Sequence, residues 1–202
     1  MKFVDLYKFL EKKKYYVFSY ADLFSIYPNE TKDNVKKIVY RWKKTGLVAP
    51  LKKGLYELTY PEDLSIPDMY IASKLYSPSY VSLETALSRY SIIPEVSMAV
   101  TSITTKPTRK FKNKHGLFIY RTVKINCFIG YQTEKHAGFD IFIAEPEKAL
   151  MDFIYFKSLH DKNYDFRDER FDKNIIAGLN KKKLNEYSRL YNIDLKEFYA
   201  NL

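Results

Sequence analysis

Residues 32–58 have the sequence KDNVKKIVYRWKKTGLVAPLKKGLYEL and contain the clearest periodic pattern of the chain. Apolar residues recur there at i, i+3, i+4 and i+7: Val35, Ile38, Val39 and Trp42. This spacing predicts a helix with one buried stripe. Its opposite side then carries Asp33, Lys37, Tyr40 and Lys44, and its flanks carry Lys36 and Arg41. We therefore expect a helix with a basic outer face.

A turn and a hairpin follow this helix. Gly46 ends the helix, because glycine adopts the left-handed conformation at little cost. Two short apolar runs, at residues 47–48 and 55–56, are joined by a turn whose tip is Lys52, Lys53 and Gly54. A basic helix followed at once by a basic hairpin predicts a winged helix-turn-helix, with the helix in a DNA major groove and Lys52 and Lys53 on the neighbouring backbone.

The residues before the helix complete this pattern. Phe3, Leu6, Tyr7 and Leu10 mark a first amphipathic helix. Ser19 is a candidate N-cap of a second helix that ends before Pro28, and Thr31 begins the basic helix. The sequence thus predicts a winged helix-turn-helix domain over residues 1–62.

Composition limits the class of protein. The chain has 202 residues, 46% of them apolar, and a single cysteine, Cys127, so neither an intramolecular disulfide nor a cysteine-based zinc site is expected. The sequence contains no run of signal-peptide or membrane-span length. We therefore expect a cytoplasmic protein with no membrane partner.

Positive charge is concentrated in two zones of a chain whose net charge is +10. Residues 1–60 hold 13 basic and 6 acidic residues. Residues 96–133 hold no acidic residue, and their basic residues include a candidate second patch of Lys106, Arg109, Lys110, Lys112 and Lys114. Such clustering favours a polyanionic partner, because phosphate contacts release counterions. The alternative is a lysine-rich surface that only maintains solubility.

The remaining sequence predicts a second domain over residues 63–202. Two prolines among polar residues in the segment 60–68 indicate a linker. Segments rich in β-branched and aromatic residues then predict strands at 100–105, 117–123, 126–132 and 139–144. Pro146 begins an apolar helix that we expect to lie across the sheet. The predicted fold class is α+β: a winged helix-turn-helix followed by a mostly antiparallel meander with surrounding helices.

Catalytic motifs are absent from the sequence. His115, His136 and His160 have no metal-ligand spacing, and no glycine-rich phosphate loop is present. Asp140, Glu145, Glu147 and Asp152 lie near a strand–helix junction, where a carboxylate site could form. Acidic residues also stabilise a helix N-terminus. We predict no catalytic residues, no metal and no cofactor, and therefore no enzyme.

Several segments in the same order resemble AbiEi-type antitoxins. The helix YVSLETALSRY at residues 80–90 is followed by Ile92, Ile93 and Pro94. A strand and turn at 100–111 and the segment IAEPEKALMD at 143–152 are similar to further motifs of that family. The hairpin at 46–58 also resembles its wing. The resemblance ends near residue 155, and the stretch DKNYDFRDERF at 161–171 matches no motif of the family.

This resemblance implies an antitoxin of a type IV toxin–antitoxin system linked to abortive phage infection. The family represses its own operon by binding inverted repeats in promoter DNA, and its C-terminal domain counters a nucleotidyltransferase-like toxin without a stable complex. By position, Lys37, Tyr40, Arg41 and Lys44 would face DNA. We expect a monomer or weak dimer that loads cooperatively on DNA. The alternatives are a winged-helix regulator without antitoxin activity and a protein-interaction module.

Overall fold

The computed structural model describes residues 1–60, 64–160 and 164–200, and it has an α+β architecture. We call residues 1–60 the N-terminal unit and residues 64–200 the C-terminal unit. The elements of the N-terminal unit are α1 (Phe3–Lys12), β1 (Val17–Ser19), α2 (Tyr20–Ile26), α3 (Lys32–Lys44), β2 (Val48–Lys52) and β3 (Leu55–Leu58). Its three strands form an antiparallel sheet in the order β1-β3-β2.

The helix boundaries of the N-terminal unit follow their local sequence signals. The hydroxyl of Ser19 accepts a hydrogen bond from the backbone N–H of Asp22, whose carboxylate accepts one from the backbone N–H of Ser19. Thr31 likewise accepts from the backbone N–H of Asn34 at the start of α3. Gly46 has a φ of +74°, as expected for a residue that ends a helix. These three predictions are confirmed.

The C-terminal unit contains a larger sheet and most of the helices. Its helices are α4 (Asp68–Leu75), α5 (Leu83–Arg89), α6 (Pro146–His160), α7 (Lys173–Ala177), α8 (Lys181–Tyr191) and α9 (Leu195–Ala200). Its strands are β4 (Ser79–Val81), β5 (Ala99–Thr104), β6 (Arg109–Asn113), β7 (Gly116–Thr122), β8 (Tyr131–His136) and β9 (Phe139–Ala144). Short 3₁₀ helices span Ile125–Cys127 and Phe166–Glu169.

The larger sheet is mixed, with the strand order β6-β7-β5-β4-β9-β8. The pairs β5–β7 and β4–β9 are parallel, whereas β4–β5, β6–β7 and β8–β9 are antiparallel. The predicted meander is therefore wrong. The chain leaves β5, forms β6 as an edge strand and returns as β7 between β6 and β5, so sequence neighbours β5 and β6 do not pair.

The strand predicted at 126–132 is also wrong. Cys127 lies in a 3₁₀ helix, and β8 begins only at Tyr131. Gly130, with a φ of +72°, separates the two, and the ring of Tyr187 leaves no room there for a Cβ atom. The β-branched and aromatic residues of this segment predicted one continuous strand, but the positive φ of Gly130 interrupts it and Tyr187 of α8 packs against that turn.

The buried apolar residues of the described ranges form two clusters. One lies wholly within the N-terminal unit and joins α1, α2 and the buried stripe of α3 to the small sheet. The other fills the C-terminal unit and also includes Val17, Leu51 and Leu55 of the N-terminal unit. The two units therefore pack against each other through apolar side chains. The domain boundary predicted at residues 62–63 lies outside the described residues.

No helix within the described ranges combines the length and apolar character that a bilayer crossing requires.

Candidate nucleic-acid interface

The outer face of α3 carries the residues that its periodicity predicts. Val35, Ile38, Val39 and Trp42 are buried. The candidate DNA-binding residues of this helix are all exposed: Lys36, Lys37, Tyr40, Arg41 and Lys44. The Tyr40 side chain is 60% exposed, and the Lys44 ammonium lies 5.7 Å from the centre of its ring. The helix thus combines cationic donors with one exposed aromatic face.

An open groove runs between α3 and the start of α2. Tyr20, Asn34, Lys37 and Tyr40 are among its lining residues. The hydroxyl of Tyr20 lies 2.9 Å from that of Tyr56 in β3, and its backbone N–H donates to the carbonyl of Gly54 at 3.3 Å. These bonds tie the turn of the β2–β3 hairpin to α2, beside the basic face of α3.

The two lysines at the hairpin turn have different surroundings. Lys53 lies in the turn itself and is exposed. Lys52 ends β2 and is only partly exposed; its ammonium donates to the backbone carbonyl of Leu75 and lies 5.3 Å from the centre of the Phe111 ring. Its side chain therefore packs on the C-terminal unit. Lys53 alone of the pair extends freely into solvent.

The candidate second patch lies at one edge of the larger sheet. Arg109, Lys110 and Lys112 belong to β6, Lys106 precedes it and Lys114 follows it, and all five are exposed. Lys110 and Lys112 share one face of the edge strand, because side chains alternate along a strand. Phe111 lies between them and packs on Tyr76 and Tyr120. The structure thus presents a basic edge strand in the C-terminal unit.

A polar cluster connects the two units at the tip of the β6–β7 hairpin. Glu57 of β3 is only 1% exposed, and its Oε2 atom lies 2.7 Å from Nε2 of His115. The other ring nitrogen of His115 lies 3.1 Å from a carboxylate oxygen of Asp68. The Lys114 ammonium lies 2.6 Å from Oε1 of Glu57, but the angle between the groups does not fit a hydrogen bond. Lys114 therefore acts on Glu57 through its charge. Hydrogen bonds to Asp68 and Glu57 raise the pKa of His115 to about 9.

This cluster predicts a loss of stability at alkaline pH. The pKa of His115 is about 9 in the folded protein and about 6.5 in the unfolded chain. The protonated ring therefore stabilises the fold fully below pH 6.5, and this stabilisation is lost as the pH rises through about 9. At pH 6 we expect the free energy of unfolding of the wild type to exceed that of His115→Asn by on the order of 1–2 kcal/mol. The ring is partly solvated, and solvent screening limits the effect to this size. The difference should shrink by pH 10, as measured by urea unfolding at each pH. A difference that stays constant with pH would contradict this prediction.

The four carboxylates near the β9–α6 junction have separate partners. Asp140 pairs with Lys135 on the surface at 2.9 Å. Glu145 binds Tyr187 and Lys183, and Glu147 accepts a hydrogen bond from the backbone N–H of Asn180 at 2.9 Å. Asp152 is fully buried. The structure therefore does not bring these groups together at one site.

A buried ionic cluster around Asp152 is the feature that sequence analysis missed. Lys148 and Asp152, one turn apart on α6, form an ion pair with no exposed side-chain surface. Ser82 donates to Asp152 Oδ2 at 2.7 Å, and the hydroxyl of Tyr80 does so at 3.1 Å. Tyr191 of α8 contacts both charged groups. Opposite charges at i and i+4 inside an apolar helix were the available sequence signal.

The described side chains form neither a metal site nor a reactive thiol. Within the described ranges no group of three or more His, Cys, Asp or Glu side chains is placed to hold a metal ion. Cys127 is buried, and burial raises the pKa of its thiol. Its Sγ atom lies 3.5 Å from the carbonyl oxygen of Leu190. A buried thiol with a raised pKa is a poor nucleophile.

Known proteins provide no further assignment, because neither a protein-family model nor a curated protein matches this chain.

Proposed function

We propose that this protein is a DNA-binding antitoxin that represses its own operon. The single observation that supports DNA binding is the exposed basic face of α3 beside the exposed turn lysine Lys53. The proposed antitoxin activity rests on the resemblance of residues 80–155 to AbiEi-type antitoxins.

The arrangement of the N-terminal unit supports a winged helix-turn-helix. The order is helix, short strand, helix, helix and hairpin, and the hairpin strand β3 pairs with β1. In this class of domain the third helix enters the major groove and the hairpin contacts the neighbouring backbone. Here α3 would be the recognition helix and β2–β3 the wing.

Each exposed side chain would then have a role set by its chemistry. Arg41 and Lys37 lie midway along α3 and would donate to base edges, with Tyr40 beside them. Lys36, Lys44 and Lys53 would bind phosphates, which position the protein without reading sequence. Lys52 packs on the C-terminal unit and is a weaker candidate for a wing contact than its neighbour.

The C-terminal unit would counter a nucleotidyltransferase-like toxin in the cytoplasm, without a stable complex between the two proteins. Promoter DNA with inverted repeats would be the operator. A monomer or weak dimer would load cooperatively on the repeated half-sites, since one winged helix contacts too few base pairs for high specificity.

The basic edge strand β6 offers a second surface for nucleic acid. Lys110 and Lys112 are exposed on the same side of this strand, away from the packed Phe111. Reversing both charges distinguishes two roles. Loss of DNA affinity would assign the strand to the operator complex, whereas loss of toxin rescue with intact DNA binding would assign it to a toxin-related RNA. If neither changes, the strand is a solvated edge.

A protein-interaction module is the alternative from another class. In that case α3 would dock on a protein partner, and association would be insensitive to salt because few phosphate counterions are released. Absence of retention on DNA together with a stable protein complex would favour it.

The decisive experiment is a gel-shift titration on the DNA immediately upstream of the gene. It is run at two salt concentrations with scrambled DNA as competitor. We expect specific shifts that weaken at the higher salt concentration and appear in discrete steps as half-sites fill. Equal binding to operator and scrambled DNA would overturn the repressor assignment.

Lys53 tests the phosphate-contact role of the wing. We expect Lys53→Ala to weaken binding to operator and scrambled DNA by the same factor, because a phosphate contact carries no sequence information. The slope of log affinity against log salt should fall by about 1. Fluorescence anisotropy over a range of salt concentrations measures both quantities, with Lys8→Ala on α1 as the control. A selective loss for operator DNA would instead assign Lys53 to base contacts.

A further inference from the structure

Three cations lie against two neighbouring aromatic rings where the two units meet. Lys52 ends β2 in the N-terminal unit, whereas Lys106 lies in the turn between β5 and β6 and Arg109 begins β6. We call these three residues the junction cluster. They surround a shared aromatic surface formed by Tyr76 and Phe111, whose ring centres are 5.7 Å apart. The cluster thus contains residues from both units.

Each of the three cations lies within about 6 Å of the centre of one of these rings. The Lys106 ammonium lies 5.4 Å from the centre of the Tyr76 ring, and the guanidinium carbon of Arg109 lies 5.7 Å from it. Lys52 lies 5.3 Å from the centre of Phe111. The Tyr76 hydroxyl is itself fixed by a hydrogen bond to the carbonyl of Pro107 at 3.1 Å. Ring faces attract cations without neutralising them.

The charge of the junction cluster is not compensated by acidic side chains within the described part of the chain. No described carboxylate lies within 4.0 Å of any of the three cations. Lys52 and Lys106 donate instead to the backbone carbonyls of Leu75 and Ser77. Burial and the charges of Lys106 and Arg109 lower the pKa of Lys52.

We propose that the junction cluster is a binding site for a phosphate group that bridges the two units. Each ammonium uses one donor on a backbone carbonyl and keeps two others, and the guanidinium of Arg109 offers a planar pair of donors. A phosphate presents several acceptor oxygens to such donors and cancels their mutual repulsion. Carboxylates carry less charge and fewer oxygens, so they fit three cations less well.

This site has a consequence for the whole chain. Because Lys52 comes from the N-terminal unit and the other two cations from the C-terminal unit, bound phosphate stabilises the packing of one unit on the other. The phosphate group comes either from a free phosphate or from the backbone of a nucleic acid. The proposal does not rest on the proposed DNA-binding function, since inorganic phosphate alone tests it.

Thermal unfolding in the presence of inorganic phosphate is the first test. We expect the Tm of the wild type to rise by about 3–6 °C at a phosphate concentration ten times Kd, relative to sodium chloride of equal ionic strength. Arg109→Gln and Lys106→Gln change exposed residues and should abolish most of this rise. Lys52→Met, which keeps the apolar part of the side chain, should do the same. Lys8→Gln removes one exposed charge from α1 and should retain the full rise.

Duplex DNA distinguishes the two sources of phosphate. If phosphate raises the Tm of Arg109→Gln less than that of the wild type, and this variant binds duplex DNA with the same affinity as Lys8→Gln, the site takes free phosphate. If Arg109→Gln weakens duplex binding about tenfold more than Lys8→Gln, the site takes a backbone phosphate. Either result supports the junction site.

Two results would overturn the proposal. One is an equal Tm rise in the wild type and in all four variants, which indicates a general ionic effect. The other is that phosphate does not raise the Tm of the wild type more than sodium chloride does, while Arg109→Gln binds duplex DNA with wild-type affinity. Loss of operator preference alone would refute only the proposed function, because the phosphate response is measured without DNA.

Discussion

Replacing Asp152 with Ala is expected to lower the free energy of unfolding by about 3–5 kcal/mol, because the substitution leaves the ammonium of Lys148 buried without its counter-charge. A change of this size is a large part of the stability of an ordinary domain. Urea unfolding monitored by circular dichroism measures it.

The geometry around Asp152 explains the size of this effect. Its carboxylate accepts hydrogen bonds from Lys148, Tyr80, Ser82 and Tyr191, which come from α6, β4, the N-cap of α5 and α8. Burial, followed by the charge of Asp152, raises the pKa of both tyrosines above the ordinary value, so they remain neutral donors. Removing the carboxylate leaves several buried donors unsatisfied at once.

Two control variants separate this explanation from a general sensitivity of the fold. Asp140→Ala removes a carboxylate from an exposed pair on the neighbouring strand and should cost less than about 1 kcal/mol. The double variant Lys148→Met/Asp152→Leu removes both charges and should recover much of the lost stability. If the double variant were less stable than Asp152→Ala, the uncompensated ammonium would not be the cause.

Local sequence signals predicted the N-terminal unit well, because its helices depend on neighbours in sequence. The buried stripe of α3, the cap residues Ser19 and Thr31, and the positive φ of Gly46 follow from periodicity and backbone chemistry. The exposure of Lys37 and Arg41 follows from the same period. Two features escaped: the short strand β1, which depends on pairing with β3, and the partial burial of Lys52, which depends on Phe111 and Leu75 in the other unit.

The C-terminal unit was predicted less completely, because its sheet depends on pairing between distant strands. The strands at 100–105, 117–123 and 139–144 were found close to their observed positions. Strand β4 has only three residues, too few to show a periodic pattern, and β6 is rich in lysine and arginine, which is not the usual composition of a strand. Without them the parallel pairs β4–β9 and β5–β7 could not be deduced.

Burial of charge was the hardest property to predict. The sequence spacing of Lys148 and Asp152 is that of an ordinary surface pair on a helix. Burial of the pair requires α8 to cover it, and Tyr191 lies 43 residues beyond Lys148. A pattern within one helix contains no information on such a distant partner.

The double variant Lys37→Ala/Arg41→Ala is expected to lower operator affinity by about 10²–10³-fold, since each lost base contact costs about 1–3 kcal/mol. Both side chains are exposed on α3, and the buried stripe of Val35, Ile38 and Trp42 is untouched, so the fold should be retained. Binding to scrambled DNA should fall much less. The measurement is a competition titration of operator against scrambled duplex at one salt concentration.

A matched control makes this prediction specific to the face of α3. Lys8→Ala/Lys12→Ala removes two positive charges from exposed positions of α1 in the same unit. It lowers the net charge by the same amount and should leave the preference for operator DNA unchanged. If both double variants weakened binding to operator and scrambled DNA equally, α3 would contribute only its charge. The sequence preference would then come from the wing or from the basic edge strand β6.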